Sequence, residues 1–389
     1  SPPQPRDLQL QSGVVIDART GKVLWGKRRN VVRPIASTTK IMTAMIALAR
    51  TSPEELLTAT NYKASLGESV VGLKPGERMT AHDLLTALLL VSANDAADTF
   101  AARTARSRAA FVAAMNAKAR ALGLKRTVYG NAVGLDQPRT VSTANELALT
   151  ARAAMSDPRF AEIVGQSKAR LDSGSKVRRV ENRNELVGRY DFVTGVKTGH
   201  TMKAGYVLVG AAKRVDANVI STVLGEPSIV ARNRDTMKLL RFGRAYFQPV
   251  SGPRAGVKAL ILKTSPGGED VVVAAKKTLR STATDGQTIS VVAETRSELR
   301  GPLEAGARVG TAWLVRDGKR IAQTALVTTS AVAAPSVADW LMFIVGRLLL
   351  VLTLCAFVFM MVLGWRFKRS RKKSSAADGR PVKASTARP

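Results

Sequence analysis

The chain is poor in the residues from which metal and thiol chemistry is built. Its one cysteine, Cys355, permits neither an intramolecular disulfide nor a thiolate metal cage. Two histidines, His82 and His200, are too few for the usual metallohydrolase site, which takes two or three imidazoles beside a carboxylate. Zinc chemistry is therefore not expected, and neither is any other cofactor. No G-x-S-x-G occurs, so a hydrolase of the nucleophile-elbow type is unsupported. Negative charge is also scarce, with 29 Asp+Glu against 60 Lys+Arg and a net charge of +31. Nine Lys/Arg and the single Asp378 give residues 366–389 a net +8, which leaves +23 over residues 1–365. A basic surface suits nucleic acid, and it equally suits the polyanions of a cell envelope.

The location of the chain decides between those partners. From Leu348 to Trp365 the sequence LLLVLTLCAFVFMMVLGW carries no charge. Eighteen residues of helix at ~1.5 Å each reach ~27 Å, about the hydrocarbon thickness of a bilayer. LMFIVG at 341–346 extends the run, Arg347 can snorkel from its outer part, and Trp340 and Trp365 bracket it. RFKRSRKK follows at once, and a polybasic cluster beside an apolar span marks the cytoplasmic side. The expectation is a single-pass cell-membrane protein with its catalytic part extracytoplasmic and its C-terminal tail cytoplasmic, which removes nucleic acid as a natural partner. The chain opens SPPQPRDLQL, with neither a basic n-region nor an apolar h-region. For an exported protein, the expectation is a numbering that starts at or near a mature N-terminus.

A length of 389 residues with 45% hydrophobic and 23% charged residues suits two or three folded domains. QLQSGVVIDARTGKVLWGK at 9–27 alternates as a β-hairpin, and 205–214 with 217–225 forms a second. Between and after them, helical periodicity marks 37–50, 80–90, 107–122, 141–155 and 228–246, with Thr80 and Asp83 spaced like a capping box. Strands at both ends and helices between them predict an α/β (α+β) domain over 1–248: one antiparallel sheet, closed by the two ends of the segment, carrying a helical subdomain. After the break QPVSGPRAG, turns such as SPGGED, TDGQ and RDGK punctuate short strands, predicting a small all-β domain over 252–330. A linker at 331–338, a transmembrane helix at 339–365 and a basic tail at 366–389 complete the expected organisation.

Chemistry enters at Ser37 and Lys40, a Ser-x-x-Lys at the start of an apolar helix, where the two side chains stand one turn apart on the same face. A lysine so placed can act as base for its serine if burial or a neighbouring cation lowers its pKa. The pattern alone is weak, since it recurs at Ser173/Lys176 in a Ser/Gly loop and at Ser370/Lys373 in the tail. Specificity comes from the combination with Ser-x-Asn at Ser92/Asn94, after the apolar helix 80–90, and Lys-Thr-Gly at Lys197, Thr198 and Gly199 beside a strand. With these three in order, the chain resembles the low-molecular-mass penicillin-binding proteins, serine D-alanyl-D-alanine carboxypeptidases. The similarity runs over about 10–330 and includes GLKPGERMTAHDLLTALLLVSANDAAD, FVAAMNAKARALGL, the GLD at 134–136, VKTGHTMKAGY and, in the β-domain, PLEAGARVGTAWLVRDGK.

The resemblance implies a penicillin-binding-protein/β-lactamase-like fold, and removal of the terminal D-Ala from peptidoglycan stem peptides through an acyl-enzyme inhibited by β-lactams. It makes Ser37 the nucleophile and Lys40 its base, with Ser92, Asn94 and Lys197 completing the proton relay and orienting the peptide. Thr198 and Lys197 would bind the terminal carboxylate, Gly199 would let the backbone come close, and the N–H groups of Ser37 and His200 would form the oxyanion hole. An Arg after the last hairpin completes the carboxylate site: Arg232, with Arg234 the alternative. His82 is expected to be structural. A DD-endopeptidase of the same family uses the same residues. A β-lactamase is disfavoured, because no ExxLN-type loop lies between Ser92 and Lys197 and Ser-Ala-Asn replaces Ser-Asp-Asn. A non-catalytic wall-binding scaffold would carry a broken motif, and all three are intact. The continuous apolar span departs from the amphipathic surface helix that ends many members.

Overall fold

The computed structural model describes residues 2–136, 139–215, 217–284 and 286–374; the expected basic tail beyond 374 lies outside them. The chain divides into two compact units, one of residues 1–250 together with 280–287, the other of 251–279 and the segment from 288 onward.

In the first unit five antiparallel strands form one sheet: β1 (Ser12–Asp17), β2 (Val23–Lys27), β3 (Val193–Thr201), β4 (Gly205–Arg214) and β5 (Ala217–Glu226), in the order β2-β1-β5-β4-β3. The two ends of the unit's sequence meet where β1 pairs with β5, Ser12 opposite Leu224 and Asp17 opposite Val219. The expected closure of one sheet by both ends of the segment is thus borne out. Side-chain direction alternates along a strand, and here both directions are buried. Val14, Ile16, Val207, Val209 and Ile220 enter one core, while Val15, Leu208 and Val219 enter another on the opposite face.

Among the described residues the unit has seven helices, α1 (Lys40–Leu48), α2 (Ala81–Leu90), α3 (Asn94–Arg103), α4 (Arg108–Ala121), α5 (Ala144–Ala154), α6 (Pro158–Val164) and α7 (Ile229–Tyr246); α5, α6 and α7 pack on the sheet, and α1 to α4 pack mainly on one another and on the other helices. On the second core α7 lies so close to the sheet that a Cβ at Gly243 would come within 2.7 Å of Val15 and 3.2 Å of Val219. Side-chain oxygens of Thr80, Ser107, Thr143 and Ser228 accept the first free N–H groups of α2, α4, α5 and α7, as helix starts require. The capping box at Thr80 and Asp83 forms only by half. Asp83 turns its carboxylate to the N–H groups of Asp172 and Ser173 and to the Ser173 hydroxyl, and Ser173 Oγ accepts from the Thr80 N–H. Ser173, the first residue of the second Ser-x-x-Lys, therefore ties a loop to α2.

Local features differ from the sequence reading: the helix expected over 141–155 begins at Ala144 after a short strand Val141–Ser142, and strands Lys168–Leu171 and Arg178–Glu181 pair around the Ser/Gly loop. Residues 36–39 form a 3₁₀ turn before α1 begins. Helix α3 was not expected, because Ala93 at its N-cap offers no side-chain acceptor. Helix α6 was also not expected, although its signal is in the sequence: Asp157 as N-cap followed by Pro158 in the first turn.

The second unit holds a six-stranded sheet whose strands run, edge to edge, 289–295, 308–316, 319–328, 270–275, 258–264 and 298–299. Val271, Val273, Leu299, Val309, Ala312 and Leu326 form its core. Helix α8 (Val337–Ser374) follows, and its part Val337–Trp365 contains an 18-residue window of mean hydropathy 2.6, none of it buried. That helix is long and apolar enough to cross a membrane.

A buried ion pair organises the loop that runs from the middle of the first unit toward α2. Arg178 donates to both carboxylate oxygens of Glu77, at 2.8 and 3.0 Å, and to the carbonyls of Val71 and Gly72. Burial alone would raise the Glu77 pKa. Hydrogen bonds from Arg178 and from the Lys74 and Ser175 backbone outweigh it and bring it down to about 2. Replacing Arg178 by Met strands a buried carboxylate, and a loss of about 3–5 kcal/mol of unfolding free energy is expected. Chemical denaturation of the variant measures it; a loss under 1 kcal/mol would mean that the pair does not hold the loop.

Candidate active site

Ser37 stands in the 3₁₀ turn and Lys40 opens α1. The entry to that turn is strained, since Ala36 has φ +46°, a conformation costing an L-residue roughly 1–2 kcal/mol. Ile35 O accepts from the Thr38 hydroxyl and Ala36 O from the Thr39 hydroxyl, at 2.5 and 2.8 Å, which holds the turn in place.

Lys40 is completely buried. Its Nζ lies 3.0 Å from Ser37 Oγ, 2.6 Å from Asn94 Oδ1 and 2.6 Å from the Val133 carbonyl. Burial is the main reason its pKa falls to about 7; the carboxylates of Glu68 and Asp95 oppose the fall and Arg183 adds to it. A neutral amine has two N–H donors and one lone pair. Asn94 Oδ1 and Val133 O can only accept, so they take both N–H groups and leave the lone pair facing the Ser37 hydroxyl.

Asn94 is the first residue of α3, and its backbone N–H donates to Ser69 O at 2.7 Å. Its neighbour Asp95 accepts from the N–H groups of Val71, Gly72 and Leu73, so the start of α3 and the loop before α2 form one wall. Ser92, two residues earlier, has φ +64°, is 3% exposed, and its Oγ has no partner within the protein. A buried hydroxyl left unpaired costs about 1–3 kcal/mol. Strain and an idle hydroxyl at one residue suggest a group kept free for a visiting molecule.

The opposite wall is β3, an edge strand paired only to β4 among the described strands. Lys197 is buried, its Nζ donating to the Thr198 carbonyl at 3.1 Å. Burial first, then Lys40, Arg183 and Arg232, hold its pKa well below the usual lysine value. Gly199 is where the two walls touch: a Cβ there would lie 3.0 Å from Ser37 N and 3.1 Å from the Ala36 Cβ. His200 is exposed, with its ring stacked on Tyr206 at 4.1 Å.

Between the walls runs a cleft of ≈ 380 Å³ lined by Ser37, Ser92, Thr198, Gly199, His200 and Arg232, among others. Lys40, Asn94 and Lys197 are not in its lining but lie beneath it. Arg232 is 5% exposed and its Nε and Nη2 donate to Asn233 Oδ1. Arg234 does not reach the cleft; it pairs with Asp235 at 2.8 Å and lines a separate groove. His82 borders a different, smaller pocket. With Arg183 and Arg232 in its lining, the cleft is suited to a small anion.

Several residues that shape this site are not visible from the motifs. Val133 contributes through its backbone, which no side-chain pattern announces. Asn131 Oδ1 accepts from the N–H groups of Val133, Gly134 and Leu135, and the N-x-x-G spacing is a turn signal that could have marked it. Asp95, Glu68 and Arg183 come together only through the fold.

The family model for D-alanyl-D-alanine carboxypeptidase matches residues 1–228. A D-alanyl-D-alanine carboxypeptidase of Escherichia coli is 32% identical over 336 residues, 82% of this chain and 83% of that protein. One from Bacillus subtilis is 29% identical over 334 residues, 81% and 84% of the two chains. Penicillin binding protein 5 from Haemophilus influenzae superposes with a TM-score of 0.59 at 26% identity, covering 86% of this chain and 99% of that one.

Gly134 provides a direct check on the geometry. It has φ +90°, and a Cβ there would fall 2.2 Å from Ala36 O and 3.0 Å from Ser37 Cα. Gly134→Ala is therefore expected to displace Ser37 and slow its covalent labelling by fluorescent penicillin at least about 100-fold, with the fold checked by circular dichroism. A folded variant labelling at the wild-type rate would contradict the packing described.

Proposed function

The chain belongs to the D-alanyl-D-alanine carboxypeptidase family, and from that premise we propose how its own residues carry out the reaction. It is a serine-type hydrolase of the penicillin-binding-protein kind, acting in cell-wall metabolism on peptidoglycan stem peptides that end in D-Ala-D-Ala. The observation that carries the residue assignment is the buried Lys40 amine 3.0 Å from Ser37 Oγ.

In this reading the Ser37 proton passes to the Lys40 lone pair as Oγ bonds to the carbonyl carbon of the penultimate D-Ala. The Ser37 and His200 N–H groups stabilise the oxyanion. Collapse breaks the C–N bond to the terminal D-Ala, whose nitrogen receives a proton through the idle Ser92 hydroxyl, with Asn94 and Lys197 completing the relay. Water then hydrolyses the Ser37 ester. Thr198 and Arg232 hold the departing carboxylate; burial lowers the Arg232 pKa, the Glu185 carboxylate opposes that fall, and the substrate carboxylate adds a further negative charge that favours the guanidinium ion. Edge strand β3 offers free backbone groups against which the stem peptide lies as an added strand. β-Lactams acylate the same hydroxyl.

Helix α8 supports anchoring in a membrane. The cytoplasmic side is assigned to the basic residues after Trp365 from the charge rule for membrane flanks, which places the catalytic unit on the extracytoplasmic face. The division proposed is a catalytic domain over 1–248 and an accessory β-domain over 252–330, with the linker, span and tail after it.

Release of D-Ala from a peptide ending in Lys-D-Ala-D-Ala, measured on the full chain in detergent, tests the assignment. Ser37→Ala is expected to abolish both release and penicillin labelling. Because Lys40 must be neutral, acylation is expected to rise about tenfold per pH unit below pH 7 and to level off above it. Wild-type turnover in Ser37→Ala, or a rate independent of pH from 5 to 9, would overturn the assignment.

A further inference from the structure

Beneath the cleft, the orientation of Asn94 is not free. An asparagine amide can be turned either way, and only one of the two turns offers Lys40 an acceptor. On its far side the amide meets Glu68, whose Oε2 accepts from Asn94 Nδ2 at 2.7 Å and from the Tyr62 hydroxyl, and whose Oε1 accepts from the Ser65 N–H at 3.1 Å. Each of these partners is a donor. Burial would raise the Glu68 pKa, but hydrogen bonds from Tyr62, Asn94 and Ser65 outweigh it and lower it, so the carboxylate stays ionised and accepts only. Turning the amide over would set its oxygen against that carboxylate and its NH₂ against the Lys40 donors, losing two hydrogen bonds at once.

We propose that Glu68 is a positioning residue of this enzyme: through Asn94 it fixes the direction of the Lys40 lone pair, and through its charge it sets the pH at which Lys40 becomes a base. The charged and titratable groups facing Lys40 from the elements around it are Glu68 in the loop before α2, Asp95 on α3, Arg183 after the strand 178–181 and Lys197 on β3. Among the two carboxylates, Glu68 acts more strongly on Lys40 than Asp95, and Asp95 is committed to the backbone of residues 71–73. Glu68 lies at the half-exposed edge of the site and touches Lys40 only through Asn94, so its charge can be removed without opening the core. The inference rests on Lys40 being the base for Ser37, and its test separates the two ideas.

The experiment is the pH dependence of acylation by fluorescent penicillin, with the full chain in detergent, for wild type, Glu68→Gln, Glu68→Asp and Tyr62→Phe, thermal melts confirming that each is folded. Glu68→Gln removes a negative charge that favours protonated Lys40, so the acid limb is expected to move to lower pH by on the order of one unit. Glu68→Asp restores the charge and returns the limb toward the wild-type position. Tyr62→Phe keeps the charge and leaves the limb within a few tenths of a unit. A merely structural role would change the plateau rate and not the limb. A wild-type limb near pH 7 that stays in place in Glu68→Gln overturns this inference alone; the absence of any limb in wild type overturns the assignment of Lys40 on which it rests.

Discussion

A lysine nitrogen held among three oxygens, two that accept from it and one hydroxyl that faces its lone pair, sets the terms for the surrounding structure. An ammonium ion is costly to bury unless it is paired, and no carboxylate touches Lys40: its partners are a hydroxyl, an amide oxygen and a backbone carbonyl. Burial therefore brings the neutral form, the one able to take a proton from a serine, within reach near pH 7. Each partner comes from a different part of the chain, 3, 54 and 93 residues away. The fold must hold a 3₁₀ turn, the start of α3 and the turn after Asn131 in register around one atom.

That requirement explains where the structure accepts strain. Ala36 and Ser92 hold left-handed conformations that a non-glycine residue adopts at a cost, and Gly134 occupies one that the crowding against Ala36 O forbids to any side chain. All three lie within a few residues of Ser37, the unpartnered Ser92 hydroxyl or the Val133 carbonyl. The scaffold that bears the cost is the sheet buried on both faces, together with the Arg178–Glu77 and Asp95 ties that fix the loop over residues 68–77. Edge strand β3 supplies the other wall, where the absence of a side chain at Gly199 lets it approach Ser37.

Much of this was legible in the sequence because it rests on local signals. Two alternating hairpins and capped, periodic helices led to the closed antiparallel sheet, and Ser-x-x-Lys, Ser-x-Asn and Lys-Thr-Gly led to the family that the comparisons identify. Other features had no local signature. The 3₁₀ turn at 36–39 carries the same residue pattern as a helix start, and α3 lacks a capping side chain. Asp83 leaves its own helix's capping box for the Ser173 loop, an exchange that depends on contacts about 90 residues apart. Val133 acts through a carbonyl, and Glu68 through an amide that another motif contributed. Residues of these kinds are found by asking which groups the motif residues touch, and a one-dimensional pattern does not contain that information.

The central claim is a protonation state, and it can be observed without turnover. Lysine labelled with ¹³C at Cε and ¹⁵N at Nζ reports its own titration by NMR, and the Lys40 signal is assigned by its loss in Lys40→Arg. The account requires that signal to titrate with a midpoint of about 7 in the resting enzyme. A Lys40 that stays protonated until pH 10 would contradict it.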